Sequence, residues 1–456
     1  MMNFKKTLAL LAVLVIFGIF AVIKVGVEKE KSDQKAMEGK FFPYKFGDVV
    51  GMDLTNSDVN IQFQKNASGE WRIIKPVMTR AEYQATSLLV KTLTDLEITR
   101  EFDISKELQP AAFGLEPPEY QLTIETTFAD TVLSQTLLFG KVETFNSESI
   151  YAMIENDSSI VLVDKGIENE LKKSVYDYRD KDIVHANKNT IQKITIQNDE
   201  TIVLEKSGDD WMMTAPVNTR GNLGKITSLL NTITGGFTSE FIEDNPENLE
   251  KYGLNPPRKT ITFTQRTKGE VSLFIGKTLP GEDGKYYAKE SLSPAIFITD
   301  NIILKAINAP ISDYYDKKVL DFDEEMMDEL KIHFAIEPKL DMSASKDEKG
   351  NWAVTLNDST INDKSEKIEQ LIRTLKNLSW RELAKTDNSE KEKYGLDNPH
   401  TTVEILKNGE MIESLIAGKI EDDDTFVTGS NTNWIVKVTN INVSSLRRNI
   451  EGISTK

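Results

Sequence analysis

Few residues in this 456-residue chain could do chemistry. It contains no cysteine, which removes a thiol nucleophile, a disulfide, a Cys-ligated zinc or iron–sulfur cluster and a lipoprotein anchor on cysteine. The histidines are His185, His333 and His400. No two of them stand at His-x-x-x-His spacing, so zinc or triad chemistry would need partners gathered from distant segments. They are read as structural or surface residues. The pairs Gly140-Lys141, Gly276-Lys277 and Gly418-Lys419 suggest a phosphate loop. Walker A, however, needs a Gly five positions earlier, where Gln135 and Val271 stand in the first two copies, and a Ser or Thr after the Lys, where Val142 stands in the first. A strand-ending turn is the expected role. Glu421-Asp422-Asp423-Asp424 lacks the alternating ligands and central Gly of an EF-hand and reads as a solvated β-turn. With 72 acids, a glycosidase pair cannot be singled out. The sequence therefore assigns no catalytic, cofactor-binding or metal residues and implies no cofactor.

Aromatic side chains are the other candidates. Trp71, Trp211 and Trp352 could stack on sugars, but each lies late in a hairpin before an amphipathic helix, which suits a core residue pinning helix to sheet. Tyr286-Tyr287 and Tyr314-Tyr315 are better candidates for exposed aromatics. Arg80 and Arg220 recur at helix starts, where an acid is electrostatically preferred, so each is expected to pair with a carboxylate or an orphan carbonyl.

The elements that position these residues form a repeat. The three Trp are 140 and 141 residues apart, each preceded by a turn with Gly69, Gly208 or Gly350. Pro76 and Pro216 end the strand in the first two copies. Helical stripes follow at Ala85, Leu88, Leu89, Leu93 and Leu96; at Ile226, Leu229, Leu230 and Ile233; and at Ile368, Leu371, Ile372, Leu375 and Leu378. Then come Phe113-Gly114-Leu115-Glu116-Pro117-Pro118, Tyr252-Gly253-Leu254-Asn255-Pro256-Pro257 and Tyr394-Gly395-Leu396-Asp397-Asn398-Pro399. In each, Gly permits a left-handed turn and proline directs the chain into a strand. A further strand and a terminal helix close each copy.

This pattern predicts an α+β protein: an N-terminal transmembrane helix, then three similar repeats, each a largely antiparallel sheet covered by amphipathic helices. The expected divisions are 1–27 for the cytoplasmic start and anchor, 28–45 for a tether, and 46–184, 185–322 and 323–456 for the repeats, with folding beginning near Phe41. The strand order is left open.

The anchor is Leu8 to Val27, preceded by Lys5 and Lys6 and interrupted only by Lys24. Twenty residues at 1.5 Å each span about 30 Å, a bilayer core, with Lys24 snorkelling to the interface. A cleaved signal peptide is the rival reading, disfavoured because the best cleavage site, Ile19-Phe20-Ala21, places bulky Ile19 at the outer position. Expected localisation is the bacterial cytoplasmic (inner) membrane, single-pass, with the large C-terminal region outside the cytoplasm. Lys+Arg 55 against Asp+Glu 72 gives a net charge of −17, which argues against nucleic acid as a partner.

The Gly-Leu-x-Pro-Pro segments, Trp hairpins, Gly-Lys strand ends and N-terminal anchor together resemble the bacterial domain of unknown function 4340 family. The resemblance implies an envelope protein associated with auxiliary components of gliding-type ABC transport systems, and it supplies no catalytic residues. The expected function is a non-catalytic protein-interaction scaffold or accessory subunit, with a protein partner in the cell envelope such as ABC transporter components. A module binding an envelope polymer such as glycan, or a hydrolase, is the alternative. Oligomeric state is left open.

Overall fold

The computed structural model describes residues 37–454 except 105–107, 129–130, 146, 362–363, 388 and 431–433. The anchor Leu8 to Val27 lies outside the described residues. Among those described, no helix is long and apolar enough to cross a membrane. Contacts divide the described residues into two compact units: those up to 183 with 237–247 and 292–299, and 184–236 with 248–291 and those from 300 on.

The first sheet contains β1 (Val49–Thr55), β2 (Asn60–Lys65), β3 (Trp71–Lys75), β4 (Thr79–Arg80), β5 (Arg100–Asp103), β6 (Tyr120–Phe128), β7 (Thr131–Val142), β8 (Ser149–Ile154) and β9 (Ser159–Asp164). Its order is β4-β3-β2-β1-β6-β7-β8-β9-β5. Two nine-stranded sheets with the same order follow, one running from Ile191–Gln197 to Ile296–Asp300 and one from Glu329–Phe334 to Ile435–Thr439. The strand pairings are antiparallel, as meanders with short connections require. Only β5, which follows the helix Tyr83–Asp95, leaves sequence order to close the far edge.

Alternation along the strands makes one face apolar. Ile61, Phe63, Trp71 and Ile73 of the first sheet join Leu89, Val90 and Leu93 of the helix Tyr83–Asp95 in one core. Leu88, included in the predicted stripe, is 47% exposed; Thr86 takes the inward position and its hydroxyl donates to the Glu82 carbonyl at 2.8 Å. The helices Leu223–Thr234 and Ser365–Lys376 bury Ile226, Leu229, Leu230 and Ile233, and Ile368, Leu371, Ile372 and Leu375; Leu378, the last residue of the third predicted stripe, is buried but lies two residues beyond its helix. Phe41 and Phe42, at the end of the segment assigned as tether, are core residues. In the third copy, which lacks the proline turn, Asn357 and Asp358 at φ +44° and +65° reverse the chain, the left-handed pair that tight hairpins use.

The aromatic-Gly-Leu motif lies apart from the helix-covered core. Leu115 packs with Met153 and Ile160, and the Phe113 ring stacks 4.6 Å from Tyr151. Tyr252 meets Tyr287 at 4.9 Å, and Tyr394 meets Phe426 at 4.9 Å beside Leu396 and Ile435.

Candidate functional site

The Gly-Lys pairs and the Gly-Leu turns prove to be two halves of one contact. Gly114, Gly253 and Gly395 cap short 3-10 turns in the left-handed conformation, at φ +73°, +66° and +66°. The carbonyl just before each rests on the glycine of a Gly-Lys pair. A Cβ at Gly140, Gly276 or Gly418 would fall under 3.0 Å from the backbone oxygen of Phe113, Tyr252 or Tyr394. The glycines thus serve close backbone approach, and their recurrence needs no phosphate.

The histidines lie in different elements. His185 donates its backbone N–H to the Glu290 carboxylate at 2.6 Å, and its Nδ1 lies 2.8 Å from the same carboxylate. His333, on the strand Glu329–Phe334, pairs with exposed Asp341 across the strands. The Nδ1 of His400 is 2.7 Å from Thr401 Oγ1, and burial holds its pKa below the ordinary imidazole value. Neither His333 nor His400 belongs to a group of three metal-ligating side chains among the described residues.

Glu413 is a second buried glutamate that sequence reasoning passed over. It accepts the Asp321 N–H at 3.3 Å, and desolvation pushes its pKa up to about 7 despite the nearby Arg220. His185 and Asp321 occupy equivalent junctions, so a buried carboxylate receives the connecting chain in both. In the acid run, Glu421, Asp422 and Asp423 form the exposed turn that was expected, whereas Asp424 is buried and lies 3.5 Å from Arg381.

Trp71, Trp211 and Trp352 are each 5% exposed, which gives them the core role. Lys65 and Lys346, their cross-strand partners in the first and third sheets, lie 4.9 and 5.1 Å over the indoles of Trp71 and Trp352. The exposed reading of Tyr314-Tyr315 is overturned: both are buried, and the Tyr314 hydroxyl donates to the Ala306 carbonyl at 3.2 Å. Tyr178 repeats this in the first copy, its hydroxyl donating to the Glu170 carbonyl at 2.8 Å. A ring this size with an internal hydrogen-bond partner gains more from burial than from exposure. Tyr286 and Tyr287 are half-buried.

Two clefts occupy equivalent positions beside the Trp hairpins. One, of about 440 Å³, lies in the second unit and is lined by Arg220, Lys318, Trp380, Thr386 and Trp434. Arg220 there is held between Asp210, at 3.1 Å, and Asp321, fulfilling the expected pairing. The other, of about 630 Å³, belongs entirely to the first unit and includes Arg72, Arg80, Tyr83, Lys181 and Phe237. Its Arg80 has no side-chain partner among the described residues, against expectation, because that junction places no aspartate where Asp321 stands in the other. Arg72 escaped sequence reasoning, although the Trp71 hairpin register would have set it opposite Arg80.

Backbone bonds fix the rims of both clefts. The Asp180 N–H donates to the Arg80 carbonyl at 3.1 Å and the Thr238 N–H to Lys181 at 2.9 Å; in the second unit Asp316 donates to Arg220 at 2.9 Å and Trp380 to Lys317 at 2.8 Å. Rims tied by backbone hydrogen bonds in this way are preorganised, so a group binding against them would carry little ordering cost.

A comparison with curated proteins finds no match. The family model described as "Domain of unknown function (DUF4340)" matches residues 71–213, 211–399 and 357–456, segments that take in Trp71, Trp211 and Trp352 and all three Gly-Leu turns. Matched over most of its length, the chain belongs to the DUF4340 family.

Proposed function

We propose that this protein is a non-catalytic, membrane-anchored envelope scaffold or accessory subunit that holds protein partners, in the setting of an ABC-type transport or gliding-like system. The observation that carries this reading is how the repeated residues are used. The Trp, the Gly-Leu and Gly-Lys pairs and the buried Tyr close the cores of similar sheets, leaving variation to the clefts beside them. In this reading Leu8 to Val27 holds the chain in the cytoplasmic membrane as a single pass, with residues 28–456 outside the cytoplasm.

Affinity capture of the anchored protein from mild detergent tests it. A defined set of envelope proteins, including permease or ATPase subunits, should accompany the intact chain and be lost when residues 323–456 are deleted. Combined replacement of His185, His333 and His400 should leave them in place. Hydrolysis of a nucleotide, peptide or glycan by the purified chain, stopped by one conservative substitution without unfolding, would refute the reading.

Glycan is the weaker reading: Trp380 and Trp434, whose rings lie 6.2 Å apart beside the cleft of the second unit, are 6% and 7% exposed and offer a sugar little stacking face.

A further inference from the structure

The two equivalent clefts differ in a way that folding does not explain. In the second unit the residue opposite Arg220 is Met212, and the guanidinium is neutralised by Asp210 and Asp321. In the first unit the residue opposite Arg80 is Arg72. Like charges directly opposite on paired strands destabilise a sheet. Neither arginine has a side-chain hydrogen bond or ion pair among the described residues, and both are partly exposed.

The acids around them are already engaged. Glu82 caps the helix Tyr83–Asp95 by accepting from Gln84 and Ala85. Glu70 accepts from Asn66 Nδ2 at 3.0 Å, Asp180 accepts the Asp182 N–H at 3.0 Å, and Asp182 has a partner of its own. The cleft therefore offers two unpaired guanidinium forks on a chain whose net charge is −17.

Its margins carry aromatic rings that no core uses. Tyr83 and Phe237 are each 70% exposed, and Met78, close by in sequence, is 76% exposed. Protruding rings beside arginine are the composition of protein-interface hot spots.

We propose that this cleft binds an acidic peptide segment of a partner protein, its carboxylates gripped by Arg72 and Arg80 and its apolar side chains seated between Tyr83 and Phe237. The inference rests on the scaffold reading and names the chemistry of one partner.

The test uses the full chain in detergent and a fluorescein-labelled peptide of alternating glutamate and phenylalanine, followed by anisotropy. Saturable binding is expected, absent for the same peptide with lysine replacing glutamate. Arg72→Glu with Arg80→Glu should weaken it at least about tenfold, as reversing charges at a desolvated contact does. Phe237→Ala should weaken it about fivefold or more. Arg80→Glu alone puts opposite charges across the strand pair, so its Tm should hold or rise, separating lost binding from lost folding. Should the double variant unfold, Arg72→Gln with Arg80→Gln replaces it.

No binding by the unaltered chain, or equal affinity in the charge variants, overturns the proposal. So does an oligogalacturonate that binds and displaces the peptide, which would make the cleft a glycan site. If the peptide fails while envelope proteins are still captured through residues 323–456, this inference falls and the scaffold reading stands; if both fail, the reading falls with it.

Discussion

Gly140→Ala adds one methyl group at a place where the structure has no room for it. The new Cβ would meet the Phe113 carbonyl oxygen and the carbonyl carbon and oxygen of Gly114, all under 3.0 Å and all backbone, so no flexible side chain can yield. The 110–118 turn must lift from β7. Overpacking of this kind costs about 1–3 kcal/mol. If the lift also draws Leu115, 1% exposed, out of its contact with Met153 and Ile160, a further ~1.5–3 kcal/mol of burial is lost. Hydrogen exchange with mass-spectrometric readout localises the effect: protection should fall in 110–118 and 137–154 and hold around 252–257. Gly276→Ala and Gly418→Ala should each reproduce the loss in their own copies. Gly114→Ala combined with Gly140→Ala should cost less than the sum of the single changes, since each pushes the same turn away from the same strand. Unchanged exchange in Gly140→Ala would refute the packing explanation of the Gly-Lys signature.

Trp211→Ala should destabilise the chain by about 3–5 kcal/mol, measured by urea unfolding, as expected for a buried indole left as a cavity. Glu413 has a folded pKa near 7 against an ordinary 4.5, so the stability it contributes is present below pH 4.5 and lost as pH rises through 7. Relative to Glu413→Gln, the Tm of the unaltered chain should therefore decline across that window, a decline absent if Glu413 is water-exposed. Arg220→Ala should cost about 0.5–1 kcal/mol, as a half-exposed ion pair does. Arg80→Ala should cost nothing or gain a few tenths of a kcal/mol by relieving Arg72, and chemical denaturation of both variants compares them.

Periodicity exposed the repeat because the three Trp hairpins, helix stripes and Gly-Leu turns are local patterns with fixed spacing. The helices Leu223–Thr234 and Ser365–Lys376 were legible from their apolar stripes, although the third stripe ran on to Leu378, past the helix end, because a buried residue just after a helix keeps the same spacing. Leu88 misled because an apolar residue on the flank of a stripe carries the same signal as one at its centre. Strand order was illegible: β5 closes the far edge beside β9 through pairing that has no signature at short range. The Tyr314-Tyr315 pair looked exposed because a polar, charged segment surrounds it, whereas its hydroxyl finds a carbonyl inside. The Gly-Lys pairs could be denied a phosphate from sequence, but their use required two segments separated in the chain, such as Gly114 and Gly140, to be seen together. The same holds for the first cleft, where Phe237 arrives from a loop far along the chain from Arg72 and Arg80.

Site-specific photocrosslinking in living cells shows whether a protein partner sits in the first cleft. A photoreactive residue at Phe237, 70% exposed at the cleft, is compared with one at Phe145, 94% exposed and outside it. A discrete protein adduct is expected from position 237, absent from position 145 and lost with Arg72→Glu and Arg80→Glu. Crosslinking that is equal at the two positions, or that joins position 237 only to glycan, would contradict it.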